Sequence, residues 1–584
     1  MNHRLCLIIA VSVATLACAV LITNASDSSD GETVKPVVDG VTYEIMDEDT
    51  ARLLQFDENT YKKYYVDKGL TPPEVLEIPD TISVTDKETG ETTEYRVTAI
   101  AEFGVCNTTL IKEVVVGDYV ATIEPYNFDA MPNLTQVTFG SDVSEIGYSV
   151  FMDCPSLTSI DTTDSTLYFD GNGLYESRTY SLIRLLEYTS GRYSIISSAS
   201  YLAKTACEGC SKLTEIVMTS ALISIGSFSF ENCTALEHIT SIDSQGVETT
   251  DALPDNLVFI GEDAFYGCVK LNDFKMNEYL TIISDGAFEK CSSLTYVDLP
   301  WDVSFVGESA FSGCDSLQSI NINEANEKYA TLDGVLYEKV YQNSYTTLIC
   351  YPMGKTLSDG CFELPADVTG VAYKAFSGSG DLKKLVLNAN LSYLDAGAFM
   401  DCTSLETVNI PEAITVLNTN LFLNCSSLKS ITVESSIIRI EAGALSNCDA
   451  LTDITLPETL KYIGEYAFCD CDALTYICIP KSVETVDECA FFKTGLTHLR
   501  VDGEKTVFKD GSLHVSTETA RVLEIECSEN LSIPDTAFNT NPEPPVVTPH
   551  YSYFDKVPYP YENWVAIAFC VALMVFIAVK LRRV

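Results

Sequence analysis

The sequence predicts a solenoid, a coil of stacked repeats with a parallel β-sheet along its concave face, and three observations carry that prediction. The first is periodicity. Phenylalanine recurs at Phe265, Phe288 and Phe311, then at Phe376, Phe399 and Phe422, and, after Leu445 in the same place, at Phe468 and Phe491, each step within a run being 23 residues. The register extends backward through Phe230, Cys207, Phe151, Phe128 and Phe103 with some longer steps. A fixed period in the range of roughly 20–50 residues marks units that cannot close a core alone and must stack on their neighbours. The second is the alternation of Leu294, Val297 and Leu299 around Tyr296 and Asp298, the pattern of a short strand with one buried face. The third is proline directly after that strand, at Pro300, Pro411, Pro457 and Pro480, where the missing amide proton ends a ladder. The segment from Gly307 to Phe311 then turns the chain on the opposite edge, and a single short helical turn is expected there.

The unit reads I-G-x-x-A-F-x-x-C-x-x-L-x-x-[IV]-x-[LI]-P, as in Val306, Gly307, Ala310, Phe311, Cys314, Leu317, Ile320 and Ile322. With Ile463, Gly464, Ala467, Phe468, Cys471 and Leu474 it closely resembles the leucine-rich repeat of BspA-like proteins, the Treponema pallidum type, over roughly residues 97 to 540. The resemblance implies a leucine-rich repeat solenoid used as a binding scaffold at a cell surface. Such scaffolds change ligand with their exposed residues, so the motif is informative about fold rather than partner.

From the N-terminus onward, Arg4 precedes an apolar run over residues 5–22, and Thr23-Asn24-Ala25 supplies small residues for cleavage, so residues 1–25 are read as a secretory signal peptide. An uncleaved anchor stays open, because the apolar run is long. Residues 26–34 are polar. Alternation through Val41-Thr42-Tyr43-Glu44-Ile45 and Leu76-Glu77-Ile78 makes residues 26–96 an N-terminal β cap over the first coil. The repeats then occupy residues 97–540, with insertions near 162–200, 323–365 and 502–530. Each insertion carries Asp-Gly between apolar alternations, at Asp170-Gly171, Asp333-Gly334 and Asp510-Gly511, a dipeptide that favours a tight hairpin. The D-G-V-L-Y form of this interruption also occurs in BspA-like proteins. A calcium loop at Asp170-Gly171-Asn172-Gly173 is disfavoured by its ligand spacing.

Residues 541–563, rich in proline and tyrosine, form a semi-rigid stalk. Residues 564–579, from Trp564 to Val579, are 16 without a charge and are read as a single C-terminal transmembrane helix. As a helix they reach about 24 Å, short of a hydrocarbon core of roughly 30 Å, so the span relies on Trp564 at one interface and a snorkelling Lys580 at the other. Lys580, Arg582 and Arg583 make residues 580–584 a basic cytoplasmic tail. The predicted placement is a single-pass type I protein of the plasma membrane or cell surface, with an internal secretory-pathway membrane as the other possibility.

All 83 acidic residues fall between the two apolar segments, against 32 basic residues, a net of −51. Nucleic acid and bare anionic lipid are poor partners for such a surface. Eleven of the 21 cysteines occupy one repeat position, read as a buried thiol packing as a small hydrophobe, with disulfide bridging left open. Cys207 with Cys210 and Cys469 with Cys471 lack an accompanying histidine pair, so no metal ligand or cofactor is assigned. No H-E-x-x-H, G-x-S-x-G or phosphate-loop motif occurs, and no catalytic residue is assigned.

The remaining candidate is a surface. The outward positions of successive strands place Glu215, His238, Asp273, Tyr296, Asp298, Asn321, Asn409, Asp453 and Tyr476 on the concave sheet as candidate ligand-binding residues. Their hydroxyl, amide and carboxylate groups suit an extracellular protein or glycan ligand. Asn107, Asn133, Asn390 and Asn530 meet the N-glycosylation rule, whereas Asn232 and Asn424 are generated by the repeat itself. The expected role is adhesion or host contact; a surface coat that self-associates laterally is the alternative.

Overall fold

The computed structural model describes residues 35–538, apart from 88, 164, 341–343, 434–435 and 515–522. The expected signal peptide, stalk, transmembrane helix and basic tail lie outside the described residues. Among the described residues no helix is long and apolar enough to cross a membrane.

The chain winds into a leucine-rich repeat β-solenoid most of whose turns contribute two strands. The first carries the apolar alternation: Tyr296–Leu299 pairs in parallel with Ser319–Ile322, matching Tyr296 to Ser319 and Leu299 to Ile322, one repeat apart. The second is a two-residue strand beyond the proline corner. Phe305–Val306 pairs in parallel with Ile282–Ile283, and this second sheet runs through eight strands from Leu167–Phe169 to Phe305–Val306. Val297, Leu299 and Val306 point inward and are buried, while Tyr296 and Phe305 face outward.

The turn edge differs from the expected helical turn. Among the described residues it is helical once, as the short 3-10 turn Asp535–Phe538. Elsewhere two left-handed residues flank the phenylalanine, two before and two after it: Asp263 (φ 49°) and Gly267 (71°) around Phe265, Gly286 (61°) and Lys290 (63°) around Phe288. A helix cannot propagate through alternating hands. The freed amides bond to the next turn instead, Phe265 N–H to Ala287 O and Phe288 N–H to Ala310 O, both 2.8 Å, so the edge becomes a third ladder. The motif glycine follows from the same closeness, since a Cβ on Gly307 would stand 2.3 Å from the Asp285 nitrogen.

Inside, the phenylalanines form a column. Phe230, Phe265, Phe288 and Phe311 stack with centroids 4.9, 5.2 and 5.7 Å apart and rings within 8° of parallel. Beside them ten of the eleven ladder thiols donate to the carbonyl of the residue filling the phenylalanine place one turn earlier, as Cys291 does to Phe265 O at 3.2 Å, Cys314 to Phe288 O at 3.2 Å and Cys471 to Leu445 O at 3.1 Å. The eleventh, Cys106, is off the ladder, because Val105 and not Phe103 fills the phenylalanine place of its turn and the thiol donates to Phe103 O. The described cysteines are free, and burial raises the pKa of those in the ladder, pushing Cys402 up to about 12. The buried-thiol reading therefore fits these cysteines, with a hydrogen bond that sequence alone did not supply.

The insertions extend the coil instead of interrupting it. Leu167–Phe169 and Gly173–Glu176 form the first hairpin, and Asp170 is consumed by it, accepting from Asn172 N, Gly173 N and Tyr193 Oη. Tyr329–Leu332 and Val335–Val340 form the second, closed by left-handed Asp333 and Gly334. Each hairpin feeds a strand that pairs in parallel with the next short strand: Leu182–Leu185 within the eight-stranded sheet, and Ser344–Cys350 in a separate five-stranded sheet that follows it. Leu185 and Tyr351 then take the phenylalanine place, Tyr351 stacking on Phe376 at 4.9 Å. The third expected hairpin is not one. Val507–Phe508 pairs in parallel with Thr485–Val486, and Asp510-Gly511 lies on the ordinary turn edge, with Leu513 in the phenylalanine place bonding to Ala537 O. Asp-Gly tolerates left-handed backbone, which both a hairpin and this edge require.

The hydrophobic core is divided at the two hairpins. Leu174 packs into the N-terminal cluster and Tyr175 into the central one; Leu336 packs into the central cluster, and Val335 and Tyr337 into the C-terminal one. Successive residues of one strand thus serve two cores, so each hairpin is a joint.

Ahead of the repeats, residues 35–100 hold five strands of a mixed sheet, from Val37–Val38 to Thr92–Ile100, and start both solenoid sheets: Ala99 and Ile100 pair with Thr122 and Ile123, and Val75–Ile78 pairs with Glu113–Val116. The purely β reading missed the helix Glu58–Asp67, capped by Asp57 accepting from Thr60 N, which buries Tyr61 against Phe56.

Candidate ligand-binding face and cleft

The nine residues expected on the strand face divide into two groups. Six are tied to neighbours in the fold. Glu215 accepts from Thr240 Oγ1 at 2.7 Å and lies 3.4 Å from Arg192. His238 Nδ1 is 2.9 Å from Asp251. Asp273 accepts from Thr295 N at 2.5 Å and Tyr296 N at 3.2 Å, and lies between strands rather than on one. Asp298 accepts from Asn321 Nδ2 at 2.8 Å, and Asn409 bonds both N and O of Leu387. Tyr296, Asp453 and Tyr476 remain exposed on the face, the two tyrosines at 47% and 52%. The sequons Asn107, Asn133, Asn390 and Asn530 are exposed. The amides of Asn133 and Asn390 nevertheless donate across turns, to Thr109 O and Ala366 O, so a glycan there would cost those bonds.

On this face sequence reasoning missed one element. The step from Phe230 to Phe265 is 35 residues, and the extra length folds as a hairpin in which His238–Ile242 pairs antiparallel with Glu248–Thr250. Asp243 Oδ1 closes its turn by accepting from Gln245 N and Val247 N, both at 2.8 Å. Arg192 to Glu248 (2.7 Å) clamps it to the preceding strands, and His238 to Asp251 closes its base. Glu215 and His238 therefore brace this hairpin. The long-strand sheet is displaced here, and the next turn joins only through a bridge between Ala252 and Lys275.

The displacement opens a cleft of about 550 Å³ between the hairpin and the corners that follow the strands. Ser241, Ser244 and Thr249 line the hairpin side; Asp255, Asn256, Glu278, Tyr279 and Asp302 line the corners; Lys275 and Met276 lie between. Asn256 Nδ2 donates to Ser220 O at 2.6 Å and Asn277 Nδ2 to Leu257 O at 3.0 Å, which fixes the corners. Burial, then the nearby Glu327 charge, raises the Asp302 pKa.

The turn edge is the other charged surface. Burial followed by the adjacent Glu231 pushes Glu208 to about 7, and burial followed by Glu262, Glu289 and Glu231 pushes Asp263 to about 7, with Lys374 opposing the latter shift. A carboxyl whose folded pKa is raised binds protons more tightly folded than unfolded, so stability falls as pH rises from the unfolded value, about 4, through the folded one. The expected result is a higher melting temperature near about pH 5 than near about pH 8, with Asp263→Asn narrowing the difference. Equal melting temperatures for wild type at both values would count against it.

Two comparisons with known proteins find relatives. The family model described as BspA type Leucine rich repeat region matches in six copies over residues 98–191, 248–332, 355–461 and 439–543. Among solved structures, a leucine rich cell surface protein from Faecalibacterium prausnitzii is 23% identical, with 81% of this chain and 96% of that chain covered and a TM-score of 0.40. A leucine-rich repeat protein from Eubacterium ventriosum is 19% identical over 80% and 96%, with a TM-score of 0.36. The pneumococcal vaccine antigen PcpA is 16% identical over 87% and 92%, also at 0.36. No curated protein matches the chain.

Proposed function

The chain belongs to the BspA-type leucine-rich repeat family, and from that premise we propose that it is a non-catalytic binding scaffold displayed outside the cell. The family suggests a protein-interaction role. The finer reading is a type I anchor through residues 564–579, with the solenoid raised on the stalk to engage an extracellular protein or glycan in adhesion or host contact. Support for the anchor comes from the uncharged run and the basic residues after it.

The observation that carries the binding reading is the exposure of Tyr296 and Tyr476 on a sheet whose polar neighbours are largely tied internally. Rigid aromatics offer large contact area at low entropic cost. The test is display of the full chain in detergent against arrays of extracellular-matrix proteins, mucins and glycans. Tyr296→Ala with Tyr476→Ala is expected to weaken a saturable protein hit by about tenfold or more without changing the melt. Absence of any hit, with light scattering that rises with concentration, would favour a self-associating coat.

A further inference from the structure

We infer that the cleft beside the Ser241–Thr250 hairpin is a site for a neutral saccharide unit; the inference rests on the reading of the chain as an extracellular binding scaffold and assigns one ligand class to one place on it. The first ground is construction. The repeat is lengthened only here among steps that lack a D-G-V-L-Y insertion and exceed the period by more than two residues, and the added residues build a wall clamped by Arg192–Glu248 and closed at its base by His238–Asp251. The resulting cleft, about 550 Å³, is of the size that encloses a small ligand.

The second ground is the chemistry of the lining. Hydroxyls of Ser241, Ser244, Thr249 and Tyr279, carboxylates of Asp255, Glu278 and Asp302, and the Lys275 ammonium offer donors and acceptors together, as a polyol needs. Asp255, Lys275 and Glu278 are exposed and form no ion pair with one another or with other described residues. Three carboxylates against one ammonium oppose an acidic sugar.

The third ground is Trp301. It is half exposed at 50%, and it follows Pro300 one period after Glu278, so it occupies the Glu278 position of the next turn, beside the cleft residue Asp302. A large aromatic exposed at that register is placed to cover the apolar face of a sugar ring, while Tyr279 lines the cleft one turn earlier.

The experiment uses the full chain in detergent on immobilised oligosaccharides ending in hexose or N-acetylhexosamine, beside their sialylated counterparts. Saturable binding to a neutral terminus is expected, weakened about tenfold or more by Trp301→Ala and also reduced by the surface change Glu278→Gln, with melting temperatures unchanged. Binding that survives both cleft substitutions, preference for sialylated termini, or no saccharide binding overturns the inference. If protein binding sensitive to Tyr296 and Tyr476 persists in that last case, the scaffold reading stands and the saccharide site alone fails.

Discussion

Phe288→Ala is expected to destabilise the solenoid by about 3–5 kcal/mol, the cost of emptying a fully buried aromatic site whose surroundings relax only partly. Phe288 is the case to choose because it is fully buried, lies between Phe265 and Phe311 with near-parallel rings on both sides, and has its carbonyl bonded by Cys314. No side chain from elsewhere can fill the gap, since adjacent coils are held in register by Phe288 N–H to Ala310 O and the two sheets. Because repeat arrays are coupled chiefly to nearest neighbours, the loss should concentrate in the central core cluster. Urea unfolding read by fluorescence and hydrogen exchange checks this; an unchanged midpoint, or a loss spread evenly over all three clusters, would contradict it.

The second large effect is expected at the first joint. Arg184 is only 1% exposed and donates to Thr205 O at 2.9 Å and Glu187 Oε1 at 3.1 Å. The same two acceptor residues receive the preceding coil: Ser149 N donates to Thr205 Oγ1 and Asp153 N to Glu187 Oε1, each at 2.8 Å. Glu187→Ala would leave the buried guanidinium with a carbonyl partner and no direct ion pair, and removing one member of a buried pair costs about 3 kcal/mol or more. Arg184→Met, which removes the charge while keeping most of the volume, should cost less than Glu187→Ala. The reverse order in urea melts would show that the pair does not hold the joint.

Much of the fold was legible because the period is carried by residues that fill the core. Phe, Cys, Leu and the strand alternation each occupy one buried place per turn, so repetition in sequence is repetition in space. Legibility failed where a turn kept its geometry but changed its marker residue. Leu185, Tyr351 and Leu513 stand in the phenylalanine place, and without them the three long steps looked like breaks. Asp510-Gly511 misled because left-handed backbone serves a hairpin and this turn edge alike. The helical turn was expected from the Gly307 to Phe311 segment, and the flanking left-handed residues leave no helix at that segment or its equivalents before Asp535–Phe538 among the described residues.

The strand face was legible by position and not by partnership. Alternation places His238 and Glu215 outward, but their engagement with Asp251, Arg192 and Thr240 depends on a hairpin whose signal was the 35-residue step. The cleft shares that origin: its lining comes from four successive turns, a proximity that no local motif encodes.

The most direct test of the central claim, that this coil presents its long-strand face and the adjoining cleft to an extracellular ligand, is differential hydrogen exchange of the full chain in detergent, free and saturated with the protein or oligosaccharide it captures. The account predicts added protection at Tyr296–Leu299 and Tyr476–Ile479 for a protein, or at the 241–256 and 275–302 segments for an oligosaccharide. Protection on the opposite turn edge, around Asp263, Asp285 and Glu308, would contradict it.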